Sequence, residues 1–178
     1  GNRLWATYYG GSLDDRGFSI ATDTAGNVYI SGYTASISAI ASGGFQNSFG
    51  GSFFDAFLVK FNSAGNRLWA TYYGGTGYEY GYGVATDLTG NVYMTGPATS
   101  TVSIASGGFQ NSFSGGPYDA FLVKFTSAGN RLWGTYYGDA GNDGAYDVAT
   151  DARSNVYITG YTNSPNGIAF GGFQNTLS

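Results

Sequence analysis

This chain has few groups with which to do chemistry: eleven carboxylates, seven basic side chains, and neither histidine nor cysteine. A thiol nucleophile, an imidazole base, a zinc site of the usual His/Cys kind and a Ser-His-Asp triad are therefore excluded within it. One set of carboxylates returns at a fixed interval, Asp15, Glu79 and Asp143, each 64 residues after the last. Arranged around a common opening, these would offer hard oxygen ligands to a cation such as calcium. The plainer alternative, which the pattern favours, is a solvated loop carboxylate in each repeat. Asp139-Ala140-Gly141-Asn142-Asp143-Gly144 follows a calcium loop only in part, with Gly at the third ligand position and no Glu at the twelfth.

Other candidates divide the same way. Asp23, Asp87 and Asp151 each stand before a turn, where a carboxylate caps backbone N–H groups, so their expected role is structural. Asp55 and Asp119 follow glycine-rich loops and are expected to accept from backbone N–H groups there. Asp14, Arg16, Tyr78, Tyr80, Asp139 and Asp147 are not matched between repeats and fall in one variable connection. Loops that vary on a constant scaffold are where binding is usually placed, and Tyr78, Tyr80 and Tyr82 add aromatic surface for stacking on sugar or protein. Trp5, Trp69 and Trp133 could form a stacking ladder, but their mid-strand setting reads as packing between sheets.

These residues are positioned by a tandem repeat. Gly1 to Gly10 returns as Gly65 to Gly74 and, with one change, as Gly129 to Gly138, while Gly43-Gly44-Phe45-Gln46-Asn47 recurs at Gly107 and Gly171. Each repeat carries four strand-like runs, called A to D. In the second repeat, A is Tyr82 to Asp87, small-residued and ending at the turn Leu88-Thr89-Gly90, and B is Asn91 to Gly96, which alternates apolar with polar. A connection from Pro97 to Tyr118 leads to C, Asp119 to Phe125, and a second turn leads to D, Arg131 to Tyr137. Four antiparallel strands repeated in tandem describe a propeller blade. Blades converge on an axis, so the small-residue strand A belongs innermost and the Trp- and Tyr-bearing strand D at the rim.

The runs Gly81-Tyr82-Gly83-Val84-Ala85-Thr86-Asp87, Gly90-Asn91-Val92-Tyr93-Met94-Thr95-Gly96, Asp119-Ala120-Phe121-Leu122-Val123-Lys124-Phe125 and Gly129-Asn130-Arg131-Leu132-Trp133 resemble the SBBP (seven-bladed β-propeller) repeat family. The resemblance spans the chain. It implies a propeller carried on bacterial secreted or cell-surface proteins, and it supplies no catalytic residue.

The expected fold is all-β, a β-propeller of four-stranded antiparallel blades with strand order D-ABCD-ABCD-AB. Residues 1–10 are the outer strand of a split blade, 11–74 and 75–138 are whole blades, and 139–178 are the first half of the split blade. The third repeat lacks the counterpart of Gly115 to Ala128, and hence a strand C. A ring needs about four blades to close. Three arrangements relieve this: a piece of a longer array, for which the missing initial Met also speaks, a homo-oligomer of about six blades, or an open filament. In the last two, an inter-chain strand holding Arg3, Leu4, Trp5, Tyr8 and Tyr9 would complete another copy's terminal hairpin.

A net charge of −4 with scattered basic residues excludes the basic patch that nucleic acid or anionic membrane requires. No apolar run reaches the length of a membrane-spanning helix. A chain without cysteine can be exported without an oxidation step. The function expected is a non-enzymatic extracellular or cell-surface scaffold for protein or glycan binding and for assembly, with no cofactor unless calcium; a lectin or carboxylate-based glycan enzyme at the channel mouth is the alternative from another class.

Overall fold

The computed structural model describes residues 1–51 and 53–177, with ten strands and no helix among them. One antiparallel sheet runs in the order β1 (Asp15–Thr22), β2 (Val28–Thr34), β3 (Asp55–Phe61), β4 (Arg67–Tyr73). A second follows as β5 (Gly83–Thr86), β6 (Val92–Ala98), β7 (Asp119–Phe125), β8 (Arg131–Tyr137), and a two-stranded sheet pairs β9 (Asp143–Thr150) with β10 (Val156–Thr162). These are the blades expected, in an incomplete ring.

Strands C and D fall where the alternation places them, but A and B do not. β6 runs on through Pro97 to Ala98, and β5 holds four residues where β1 and β9 hold eight. Proline is the cause. Pro97 has no N–H to give strand A, so the ladder toward β5 stops and only its carbonyl remains engaged, accepting from Tyr80 N at 3.2 Å. Pro97 still sits opposite Ala120 on the other side, because a residue's N and O in an antiparallel strand point the same way.

Residues 1–10, expected as the outer strand of a split blade, are not paired as a strand within this chain. No strand C lies beside them to carry a ladder. Their large side chains nevertheless keep the rim positions: Trp5 Nε1 donates to Ser63 O at 3.1 Å as Trp69 Nε1 donates to Ser127 O at 2.9 Å, and Tyr9 OH reaches Ile40 O as Tyr73 OH reaches Ile104 O. Between the whole blades, Tyr29, Leu58, Trp69 and Tyr73 of one bury against Val84, Met94, Phe121, Val123 and Phe125 of the other. The innermost strands meet through threonines, Thr86 Oγ1 donating to Thr22 O and Thr150 Oγ1 to Thr86 O, both at 2.8 Å.

The turn between strands A and B takes positive φ at one position in every repeat, at Gly26 (78°), Gly90 (82°) and Ser154 (61°). The conformation disfavours any side chain by about 1–2 kcal/mol. Replacing Gly90 with Ala is expected to lower unfolding free energy by about 1 kcal/mol, and Ser154→Gly to shift it the other way, both read from urea midpoints.

Candidate functional site

Asp15, Glu79 and Asp143 are each hydrogen-bonded within their own repeat. Each carboxylate turns into the connection that carries it and ties that connection to the end of strand B. Asp15 accepts from Gly11 N at 2.7 Å and from the hydroxyls of Thr34 and Ser36. Glu79 accepts from Gly75 N and Ser100 N, at 2.9 and 3.0 Å, and Asp143 from Asp139 N at 2.9 Å and from the hydroxyls of Thr162 and Ser164. Glu79 and Asp143 are buried. Among the described residues, no three acidic side chains come together to hold a metal ion. The lone pairs expected to face a cation are used on the chain's own loops.

For Glu79 and Asp143, though not Asp15, the neighbouring acid is the aspartate that opens strand C. A Cβ added to Gly74 would lie 2.6 Å from Asp55 Oδ1 and 2.7 Å from Glu79 Oε2; at Gly138 it would lie 2.7 Å from Asp119 Oδ1 and 3.1 Å from Asp143 Oδ2. Two carboxyl groups therefore flank the glycine that ends strand D, where one blade hands over to the next. One oxygen of each aspartate accepts from a backbone N–H, Gly50 N at 2.6 Å for Asp55 and Ser114 N at 2.7 Å for Asp119. The other is buried without a donor. Burial, reinforced by Glu79, pushes Asp55 up to about 7 against the Gly50 bond, and burial with Asp143 and Asp139 nearby pushes Asp119 up to about 6. Burial also raises Glu79.

The turn aspartates behave differently. Asp87 accepts from Thr89 N and Asn91 N, both at 2.9 Å, and from Asn91 Nδ2 and Tyr93 OH, with Lys124 Nζ at 3.6 Å. Burial alone would raise this carboxyl, but the bonds from Asn91, Thr89 and Tyr93 outweigh it and hold it well below the usual range. Asp23 and Asp151 accept from their own turns in the same pattern and are also held low.

Sequence reading found only part of an aromatic face, Tyr78, Tyr80 and Tyr82, and missed Phe18, Tyr146 and Tyr161. The β1–β2 register skips Phe18 and the β9–β10 register skips Tyr146, so both are bulged residues, and Tyr82 holds the same place just ahead of β5. A bulge re-aims its side chain. Phe18 and Tyr82 meet edge to face at 5.0 Å, Tyr82 and Tyr146 lie 6.4 Å apart, and Tyr146 packs on Tyr161 at 5.3 Å. Tyr80, one of the residues picked from sequence, joins them through Tyr82, Tyr33 and Phe54, and Tyr78 stacks on Phe53 at 5.5 Å. Asp14 and Arg16 form an exposed ion pair at 3.2 Å beside Tyr33, whose hydroxyl donates to Asp14 at 2.7 Å. All of this lies at the end of the sheets where strands A begin and strands B finish. A large ring set among small residues, as in Gly17-Phe18-Ser19 and Gly81-Tyr82-Gly83, was the available signal.

Within the chain, Trp5 and Tyr9 of the expected inter-chain strand pack on Phe57 and Phe61, while Leu4 and Tyr8 are fully exposed. The terminal segment holds its own first blade.

The two kinds of carboxyl give opposite pH dependences. Asp55 and Asp119 keep protons in the folded chain that the unfolded chain has released, so unfolding free energy should fall as pH rises from about 4 to about 7. Below the unfolded carboxylate range the depressed Asp23, Asp87 and Asp151 reverse the trend, and stability falls with falling pH. Urea unfolding across this range should show the upper slope flattened in a chain carrying Asp55→Asn and Asp119→Asn; an unchanged slope would exclude these groups as its source.

Three segments, residues 4–37, 68–102 and 132–170, match the family described as Beta-propeller repeat. An uncharacterized WD repeat-containing protein of Acanthamoeba polyphaga mimivirus is 27% identical over 183 aligned positions, covering 89% of this chain and 13% of the viral protein. The chain thus spans a small part of that relative's length. With more than half of its residues inside the three matched segments and its strands paired as blades, the chain belongs to the SBBP β-propeller repeat family.

Proposed function

We propose that this chain is a non-enzymatic binding scaffold, extracellular or at a cell surface, that takes a protein segment or a glycan on its aromatic face. One observation carries the reading: the face is built where the repeats differ, on strands that hardly change. Position by position, Tyr33 gives way to Pro97 and returns as Tyr161, Arg16 is replaced by Tyr80 and Gly144, and Asp14 by Tyr78 and Asn142. Partly exposed tyrosines offer flat apolar rings with polar tips, which suit sugar faces and peptide backbones alike. The WD-repeat relative agrees with a scaffold role.

Several features argue against catalysis. With no His or Cys, acid–base work would fall to carboxylates, and the carboxyl pairs at Gly74 and Gly138 are buried beneath the loops. The repeating acids accept hydrogen bonds from the chain's own loops, which supports a reading without calcium. Melting with and without a calcium chelator is expected to give the same midpoint; a drop on chelation would restore a cation role.

Peptide and glycan arrays probed with the chain test the binding reading, with hits measured by calorimetry. Tyr80→Ala and Tyr146→Ala should each weaken a hit about tenfold while leaving the melting midpoint nearly unchanged. Silence on both arrays, or hits indifferent to these changes, would sink it. A second reading, assembly of copies into a ring or filament, is favoured by the open outer edge of β10, and a strictly monomeric mass in solution would exclude it.

A further inference from the structure

Three fittings that recur in the two whole blades stand open in the third. The first is a glycine in strand B. Gly32 faces Phe57 and Gly96 faces Phe121, and a Cβ on Gly32 would lie 2.8 Å from the Phe57 ring. Gly160 has the same place in β10, which pairs with β9 alone.

The second is a tyrosine from the preceding rim. Tyr9 sits between Phe57 and Phe61 at 5.3 and 5.8 Å, and Tyr73 between Phe121 and Phe125 at 5.4 and 5.8 Å. Tyr137 makes the matching hydroxyl bond to Ile168 O, yet among the described residues no such pair of rings encloses it. It borders instead a cavity of about 200 Å³ lined by Ile158, Gly160, Tyr161 and Ile168.

The third is a lysine seat. Lys60 Nζ lies 5.0 Å from the Tyr29 ring and 3.7 Å from Asp23, and Lys124 Nζ lies 5.0 Å from the Tyr93 ring and 3.6 Å from Asp87. Tyr157 and Asp151 repeat that pair, with the hydroxyl donating to the carboxylate at 3.1 Å, and Tyr157 is 56% exposed.

We propose that β10, Tyr137 and the Asp151–Tyr157 pair form one acceptor for an extended, otherwise unpaired segment of the pattern Asp-Ala-Phe-Leu-Val-Lys-Phe. The segment adds antiparallel to β10 in the register β7 keeps on β6: Asp opposite Thr162, the first Phe opposite Gly160, Lys opposite Tyr157 and the last Phe opposite Val156. Backbone pairing supplies affinity, and the seats supply selection: two rings four residues apart around Tyr137, and one cation on the Tyr157 face. The two segments of this pattern in a folded second copy, β3 and β7, do not qualify as donors, because both of their edges are paired. This inference stands apart from the aromatic-face reading, since it uses a sheet edge and a different ligand.

The test uses a labelled peptide with the sequence of residues 115–128, kept below the concentration at which it associates with itself, and the full chain. Saturable one-to-one binding, a raised melting midpoint and hydrogen-exchange protection gained in β10 are expected. Changing both Phe of the peptide to Ser should weaken binding at least tenfold, as should Tyr137→Ala in the chain. Changing the peptide's Lys to Met should cost less and remove part of the salt dependence. No binding, equal binding of the Phe-free peptide, or protection that appears away from β10 would each overturn the proposal.

Discussion

The fold depends on a tyrosine that leaves its own sheet. Tyr9 and Tyr73 each pass between two phenylalanines of the blade that follows and give their hydroxyls to a loop carbonyl there. The neighbouring tryptophan covers a glycine of that blade's C–D turn, so closely that a Cβ on Gly129 would lie 2.8 Å from the Trp69 ring. A sheet of four short strands buries too little on its own. The joint makes two adequate sheets out of two inadequate ones, and every other requirement follows from it. Strand C must be apolar on both faces, the C–D turn needs glycine, and the rim needs rings that also carry a polar tip.

The joint also decides where charge is tolerated. Closing the blades at the rim draws the D-to-A connection over the head of strand C, and this brings two carboxyl groups to one glycine at each junction. Such pairs are unfavourable when both are ionised. They persist because each aspartate has a backbone N–H on one oxygen and low solvent access on the other. At the opposite end of the sheets the turn aspartates have abundant donors, and Asp23 and Asp87 also a lysine beside them, so the same residue type is held in opposite protonation tendencies at the two ends of a blade.

Much of this was legible in the sequence. The identical runs Asp55–Phe61 and Asp119–Phe125 fixed strand C to the residue, because alternation and repetition point to the same boundaries. The shortening of β5 was readable in principle from Pro97, but only once the side to which its missing N–H points is known. Asp15, Glu79 and Asp143 were visible as a set, but the favoured reading of solvated loop carboxylates did not foresee that Glu79 and Asp143 are buried. Periodicity reports that a residue does the same job in each repeat and says nothing of the direction it faces. The bulges at Phe18 and Tyr146 were hidden for another reason: they depend on a register between two strands, which the residues of one strand do not encode.

The rim contacts have a direction. Trp5 bonds to Ser63, Trp69 to Ser127, Tyr9 to Ile40 and Tyr73 to Ile104, so the anchoring ring always lies earlier in the chain than the blade it anchors. During synthesis from the N-terminus, each new blade emerges beside a rim that is already in place, and loop closure never has to wait for distant residues. An array built this way grows at one end like a ratcheted stack, with each finished unit acting as the template surface for the next.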